Sequence, residues 1–158
     1  MIDADRKFMA RTIELARMGV AENAGGPFGC VVVKNGEIVG EGNNRVTSTN
    51  DPTAHAEVIA IRNACEALGS FQLDGCTIYT SCEPCPMCLG AIYWARPEKV
   101  FYACTRSDAA DIGFDDDFIY QELEKPNDER EMALVNLMRD EAMEVFTNWA
   151  AKADKVEY

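Results

Sequence analysis

Apolar positions along the chain change period several times, and each change marks an element. From Asp5 to Met18 the residues Phe8, Met9, Ile13 and Ala16 recur at helical spacing, with Gly19 as a stop. Gly25-Gly26-Pro27 reads as a loop, and Gly29 to Lys34, centred on Val31-Val32-Val33, as a buried strand. Asn35-Gly36 is a strong hairpin signal, so Glu37 to Gly42 is the returning partner. Asn43 to Asn50 is polar and reads as loop, and Asp51-Pro52 as the start of a helix that runs through Leu68 to Gly69. Thr77 to Thr80 predicts a third strand. Pro84 opens a helix that passes Cys88, Ile92 and Tyr93 to about Ala95, where Arg96-Pro97 ends it, and Lys99 to Ala103 predicts a fourth strand. Past Pro126 the pattern is weaker: Glu131 to Met138 fits strand or helix, and Glu141 to Ala153 is helical. Helix, hairpin, then helix–strand–helix–strand predicts an α/β fold, a three-layer α/β/α sandwich around a mixed sheet. Such sheets bind ligands at strand ends, near helix N-termini.

Composition narrows this picture without redrawing it. The 158 residues suit one domain spanning 1–158, and 47% hydrophobic with 27% charged residues is ordinary for a globular chain. There is no apolar run of about 18 residues for a membrane span, and the acidic N-terminus lacks the apolar core of a signal peptide. Seven cysteines, an odd number, fit metal binding plus free buried thiols in a reducing cytoplasm better than a disulfide framework. The net charge of −12 disfavours a polynucleotide partner, because the fifteen basic residues are scattered and form no basic stripe. Acids concentrate instead at Asp108, Asp111 and Asp115 to Asp117, then Glu122 to Glu131, where a solvated face is the ordinary explanation.

The candidate chemistry gathers around the only histidine. His55 lies in Pro52-Thr53-Ala54-His55-Ala56-Glu57, and thirty residues on comes Cys82-Glu83-Pro84-Cys85-Pro86-Met87-Cys88. Cys85 and Cys88, three apart in the first turn of a predicted helix, can share a metal, and the positive helix pole there favours thiolates. His55, in the first turn of the other helix, supplies a third ligand; three protein ligands and one open position is the layout of a catalytic zinc site. Cys82 is the competing fourth ligand, and with it the same residues would make a structural Cys3His zinc module. Cys82 lies on the strand side, off the helical face shared by the other two, and a closed site gives Glu57 no task. Cys30, Cys65, Cys76 and Cys104 read as small buried hydrophobes. Glu57 alone would be an ordinary dipole-complementing residue. Two residues after a zinc ligand it can instead take a proton from metal-activated water and deliver it to a ring nitrogen and then to the departing amine.

The spacing H-x-E followed by P-C-x-x-C is the mark of zinc-dependent nucleobase deaminases. With it, the chain resembles the cytidine deaminase superfamily and, within it, the bacterial guanine deaminases, over nearly its whole length. Gly25-Gly26-Pro27-Phe28-Gly29 resembles the family's first-strand entry, and Asn50 to Glu57 and Tyr79 to Cys88 match its two zinc motifs. Ala91-Ile92-Tyr93-Trp94-Ala95-Arg96, Gly113-Phe114-Asp115-Asp116 and the terminal Glu157-Tyr158 are the narrower markers that point to guanine. The resemblance implies hydrolytic deamination of guanine to xanthine and ammonia with one zinc per subunit. Guanosine, cytosine or an aminotriazine are the alternative substrates.

It also implies roles for single residues. Asn44 would hydrogen-bond the base, Phe28 would pack on its ring, the Ala56 amide would lie beside the activated water, and Asp116 would contact the substrate, with Asp115 and Asp117 solvated. Tyr158 would belong to a lid formed by the tail, about 153–158. The implied assembly is a cytoplasmic homodimer, of a kind that can be domain-swapped through the C-terminal segment, with a small nucleobase as substrate and neither nucleic acid nor membrane as partner.

Overall fold

The apolar run Gly29–Lys34 forms β1, and its two faces account for the layers on either side. In the computed structural model, which describes residues 2–114 and 116–158, β1 is buried along nearly its whole length. Cys30 and Val32 point to one face of the sheet, while Val31 and Val33 point to the other. A strand buried on both sides loses the apolar–polar alternation and reads as a continuous hydrophobic run. The Asn35-Gly36 turn, both residues at positive φ, returns the chain as β2 (Glu37–Asn43), antiparallel to β1. β3 (Cys76–Cys82) pairs with the other edge of β1, antiparallel, and β4 (Lys99–Cys104) pairs with β3 in parallel. The result is a mixed four-stranded sheet in the order β2-β1-β3-β4.

The described residues form two compact units, 1–117 and 118–158. In the first, helix α1 (Ile2–Ala21) covers one sheet face through Phe8 and Leu15, against Val31, Val33 and Tyr79. Helices α3 (Ala56–Leu68) and α4 (Pro86–Ala95) cover the other, where Ala56, Ala60, Ala64, Ile92 and Ala95 pack on Cys30, Val32, Leu73, Cys76 and Ile78. The three-layer α/β/α sandwich expected from the sequence is present. Small residues let α3 lie close to β2: an added Cβ on Gly42 would come within 2.6 Å of the Ala56 carbonyl oxygen, and one on Gly40 within 2.5 Å of that of Ala60.

Several expected boundaries move. Residues 43–50 are not all loop, since Val46–Thr49 form the short helix α2, closed by Asn50 in the left-handed region. Helix α3 starts at Ala56 and not at Asp51-Pro52, because the Asp51 carboxylate accepts from the backbone N–H and hydroxyl of Thr53 and makes a separate turn first. Helix α4 starts at Pro86, two residues later than Pro84 suggested. The acid-rich stretch contains two helices that periodicity did not reveal, α5 (Arg106–Asp111) and α6 (Asp117–Glu124), the first opened by a capping box between Thr105 and Asp108. In the second unit, residues 131–138 are neither strand nor helix, and α7 spans Arg139–Ala151. No residue of 118–158 is buried.

Candidate metal and proton-transfer site

Two helix starts meet beside the end of β3, and each contributes donors through its N-cap. His55 and Cys85 are the N-caps of α3 and α4, with extended backbone, and therefore do not sit in the first turns as the sequence suggested. The Cys85 sulfur accepts from the Cys88 backbone N–H at 3.4 Å, taking the part that Ser or Asp plays at most helix starts. Pro86 at the first helical position pre-sets the backbone there. The loop that carries His55 is tied down by the Arg45 N–H to the Ala54 carbonyl at 2.9 Å.

His55, Cys85 and Cys88 bring one ligand atom each to within 4.8 Å of one another, the one such cluster of His, Cys and acidic groups among the described residues. His55 Nδ1 is 3.5 Å from both sulfurs. Zinc–sulfur and zinc–nitrogen bonds of ordinary length at tetrahedral angles put donors roughly 3.5 Å apart, so the spacing fits that ion. The electrostatics fit as well. The Cys85 thiol is pulled well below the ordinary thiol range, chiefly by the Cys88 S–H and then by His55. Its thiolate pushes Cys88 up, with burial adding to the effect. A second thiolate is opposed by the first, and a cation among the three donors removes that repulsion. Cys82, the candidate fourth ligand, borders the same cavity as His55 and Cys85 but lies outside their donor cluster, at the end of β3, where its S–H faces the Thr105 carbonyl at 3.5 Å. The closed Cys3His arrangement is not formed. Of the other cysteines, Cys30 and Cys76 are buried as expected, Cys65 is partly so, and Cys104 is exposed, contrary to expectation, because β4 presents its outer end to solvent.

Glu57, in the first turn of α3, is 6% exposed and accepts from the Thr80 hydroxyl at 2.9 Å. Burial pushes its carboxyl up, while hydrogen bonds from its own backbone N–H and from Thr80 pull it down. His55, Glu57 and Cys85 line a cavity of about 450 Å3 together with Phe28, Asn44, Glu83, Phe114 and Asp116. That is the size range of small-molecule sites. Phe28 and Phe114 meet edge to face at 4.9 Å between ring centres and form an aromatic wall.

Asn44, one residue past β2, has its Oδ1 occupied by the backbone N–H groups of Gly26 at 3.2 Å and Val46 at 3.1 Å. Two N–H donors require the oxygen in that position, so the amide nitrogen is the atom left to serve a ligand. Ala56, with its backbone at the first position of α3, is fully buried. The sequence-predicted residues Phe28, Asn44, His55, Glu57, Cys85 and Asp116 therefore share one cavity. Cys88 backs it through the donor cluster. Tyr158 belongs to the second unit and is largely exposed, Asp117 opens α6, and Asp115 lies outside the described residues. Sequence reading assigned no part to Thr80, Glu83 or Phe114. Glu83 accepts from the Arg106 N–H at 3.0 Å and so anchors the chain leaving β4.

Comparison with known proteins agrees with this geometry. A family model described as the cytidine and deoxycytidylate deaminase zinc-binding region matches residues 2–104. The chain is 57% identical to the guanine deaminase of Bacillus subtilis over 151 residues, covering 96% of this chain and 97% of that protein. The crystal structure of a Bacillus subtilis guanine deaminase superposes with a TM-score of 0.94 at 56% identity, covering 97% of this chain and 98% of the other. A tRNA-specific adenosine deaminase of Aquifex aeolicus is 46% identical, but over only 49% of this chain and 51% of its own length.

Proposed function

The chain belongs to the cytidine and deoxycytidylate deaminase family, and we propose that it carries out the zinc-dependent hydrolytic deamination of guanine to xanthine and ammonia. One observation carries the chemistry: the His55–Cys85–Cys88 donor set and the buried Glu57 carboxyl border the same cavity, beside the Phe28 and Phe114 rings. The near-full-length likeness to a guanine deaminase supports the choice of base, since it continues past residue 104 through Asp116 toward the C-terminus. His55, Cys85 and Cys88 would hold the zinc, which when bound would supply Lewis-acid chemistry that acidifies water.

The remaining work falls to the chain's own groups. Glu57 accepts a proton from the attacking water and delivers it to the ring nitrogen next to the amine-bearing carbon as the C–O bond forms; it then takes the second proton, from the new hydroxyl, and passes it to the amine, so that the C=O bond forms, the C–N bond breaks and ammonia leaves. Its burial keeps the carboxyl out of bulk water, so the proton stays within the site. Asn44 offers its amide N–H to a ring acceptor, and Asp116 accepts from ring or amine N–H groups. The Ala56 backbone N–H stands at the start of α3, where the helix pole favours developing negative charge. Phe28 and Phe114 hold the flat ring between an aromatic wall and the donor set.

A cytoplasmic homodimer is part of the same reading. A segment without a fully buried residue gains little hydrophobic stabilisation to offset its ordering, and residues 118–158 include exposed Val135, Leu137, Val145, Phe146 and Trp149. A partner subunit that receives this segment, with Tyr158 closing over a site as a lid, would supply the missing burial. Tyr93 and Trp94 on the outer face of α4 are a second exposed apolar surface. Among the described residues no helix is long and apolar enough to cross a membrane, and the free thiols suit a reducing compartment.

The test is ammonia release from guanine, guanosine, adenine and cytosine by the zinc-loaded protein, with Glu57→Gln beside the wild type. Guanine is expected to be turned over fastest, and Glu57→Gln to keep its zinc while losing about 10²–10⁴-fold in rate. Faster release from another substrate would overturn the choice of base, and a fully active Glu57→Gln the mechanism.

A further inference from the structure

Thr80 stands where the pattern of β3 asks for an apolar side chain. Alternation along the strand sets Cys76, Ile78 and Thr80 on the face that packs against α3, and the first two belong to the apolar cluster there. Thr80 is 1% exposed, so its hydroxyl requires a partner. Thr12, equally buried in α1, meets the requirement through the carbonyl of Phe8 one turn back. Thr80 reaches across the layers and donates to Oε1 of Glu57 at 2.9 Å, 23 residues away in sequence.

The carboxylate needs such an anchor. The last torsion of a glutamate side chain has broad wells, so packing alone leaves its plane loosely defined. A group that exchanges protons at fixed positions must be held to within about 0.5 Å and 10–20°. Thr80 is suited to hold it. Its β-branched side chain is stiff at χ1, and its strand is flanked on both sides, opposite Cys30 of β1 and Tyr102 of β4. We infer that Thr80 is a positioning residue for the proton-transferring carboxylate: its hydroxyl fixes Glu57 through Oε1 and orients the plane in which protons are exchanged. The inference rests on the deaminase reading of this site.

Thr80→Val removes the hydroxyl at nearly constant volume, Thr80→Ser keeps it, and each is measured for kcat and KM with guanine, bound zinc and thermal midpoint. Thr80→Val is expected to retain zinc and lose about tenfold to a hundredfold in kcat per bound zinc, the effect of one hydrogen bond to a charged group. KM should stay at the wild-type value, and Thr80→Ser should recover most of the rate. Should Thr80→Val fail to fold, Thr80→Ser against Thr80→Ala reads the same contrast. Three results would each overturn the role: wild-type kcat without the hydroxyl, equal losses with and without it, or a loss fully accounted for by missing zinc. A zinc-loaded wild type that releases no ammonia from guanine would overturn the deaminase reading and this role with it, whereas an active wild type with an unaffected Thr80→Val overturns this role alone.

Discussion

Replacing Gly42 by alanine perturbs the seat on which the metal and proton-transfer residues are mounted. The new Cβ would lie 2.6 Å from the Ala56 carbonyl oxygen, 2.8 Å from the Ala60 nitrogen and 2.9 Å from the Ile59 Cβ. Two of these neighbours are backbone, so no side chain can swing away. For the first pair to reach ordinary contact at 3.4 Å, the start of α3 must retreat from β2 by about 0.8 Å. His55 and Glu57 flank Ala56 directly and move with it, while Cys85 and Cys88 are carried by α4. Overpacking of this kind costs about 1–3 kcal/mol, which lowers the melting temperature of a chain this long by about 2–12 °C. A displacement near 1 Å at a reacting group costs about a hundredfold in rate. Gly40→Ala is the matched control. It meets Ala60 and Ala64 at 2.5–2.7 Å, an equal collision one turn farther from His55. Thermal unfolding of the zinc-loaded proteins, competition for zinc by a colorimetric chelator, and ammonia release together separate the effects. Both variants are expected to be destabilised comparably, with Gly42→Ala losing far more zinc affinity and rate. Equal losses in the two, or a Gly42→Ala protein with wild-type zinc affinity and kcat, would refute the close α3–β2 seat as the element that sets site geometry.

Other substitutions probe separate links. Cys85→Ser should abolish stoichiometric zinc while Cys82→Ser keeps one zinc per chain, measured by metal analysis after dialysis; zinc loss from Cys82→Ser would restore the four-ligand reading. Asn44→Asp keeps an acceptor for the Gly26 and Val46 N–H groups but loses the amide donor. It should raise KM for guanine while leaving the melting temperature nearly unchanged, and an unchanged KM would remove Asn44 from the site. Glu41 is held below the usual carboxylate range, chiefly by its hydrogen bond from Arg11. A depressed folded-state pKa gives stability that is present at neutral pH and is lost as pH falls through that pKa. Because both side chains are about one-third exposed, Glu41→Gln should cost under about 1 kcal/mol at pH 7 in urea unfolding, and the difference from wild type should vanish in strong acid. A difference that persists unchanged at pH 2 would mean the contact is packing and not charge.

Much of the scaffold was legible because its signals are local. The β1 run, the Asn35-Gly36 turn and the period of α1 each depend on neighbours a few residues apart; the first two appear where the sequence puts them, and α1 does so at its centre but starts earlier, at Ile2, and runs through the expected stop at Gly19 to Ala21. The start of α3 was misread because Asp51-Pro52 is a valid helix opening by local chemistry, and only the Asp51–Thr53 turn diverts it. The helices α5 and α6 escaped notice because they are only six and eight residues long, too short for an apolar period to repeat, and acids are interspersed among their apolar residues. Residues 131–138 carry apolar side chains without a period, and no strand or helix forms among them.

The donor chemistry of the site is written in the sequence by itself. One histidine, a Cys-x-x-Cys at a helix start and a glutamate two residues past the histidine restrict the metal and the proton carrier before any folding is considered, because ligand type and spacing within one turn are local properties. Three further matters were decided only by the tertiary structure. Cys82 was left outside the donor cluster, Asn44 had its oxygen consumed so that its nitrogen serves the cavity, and Thr80 was brought to the Glu57 carboxylate. They depend on how far α3 lies from β3 and on which backbone groups the loops bring within hydrogen-bonding reach. Those distances follow from packing the two sheet faces, and no spacing along the chain encodes them.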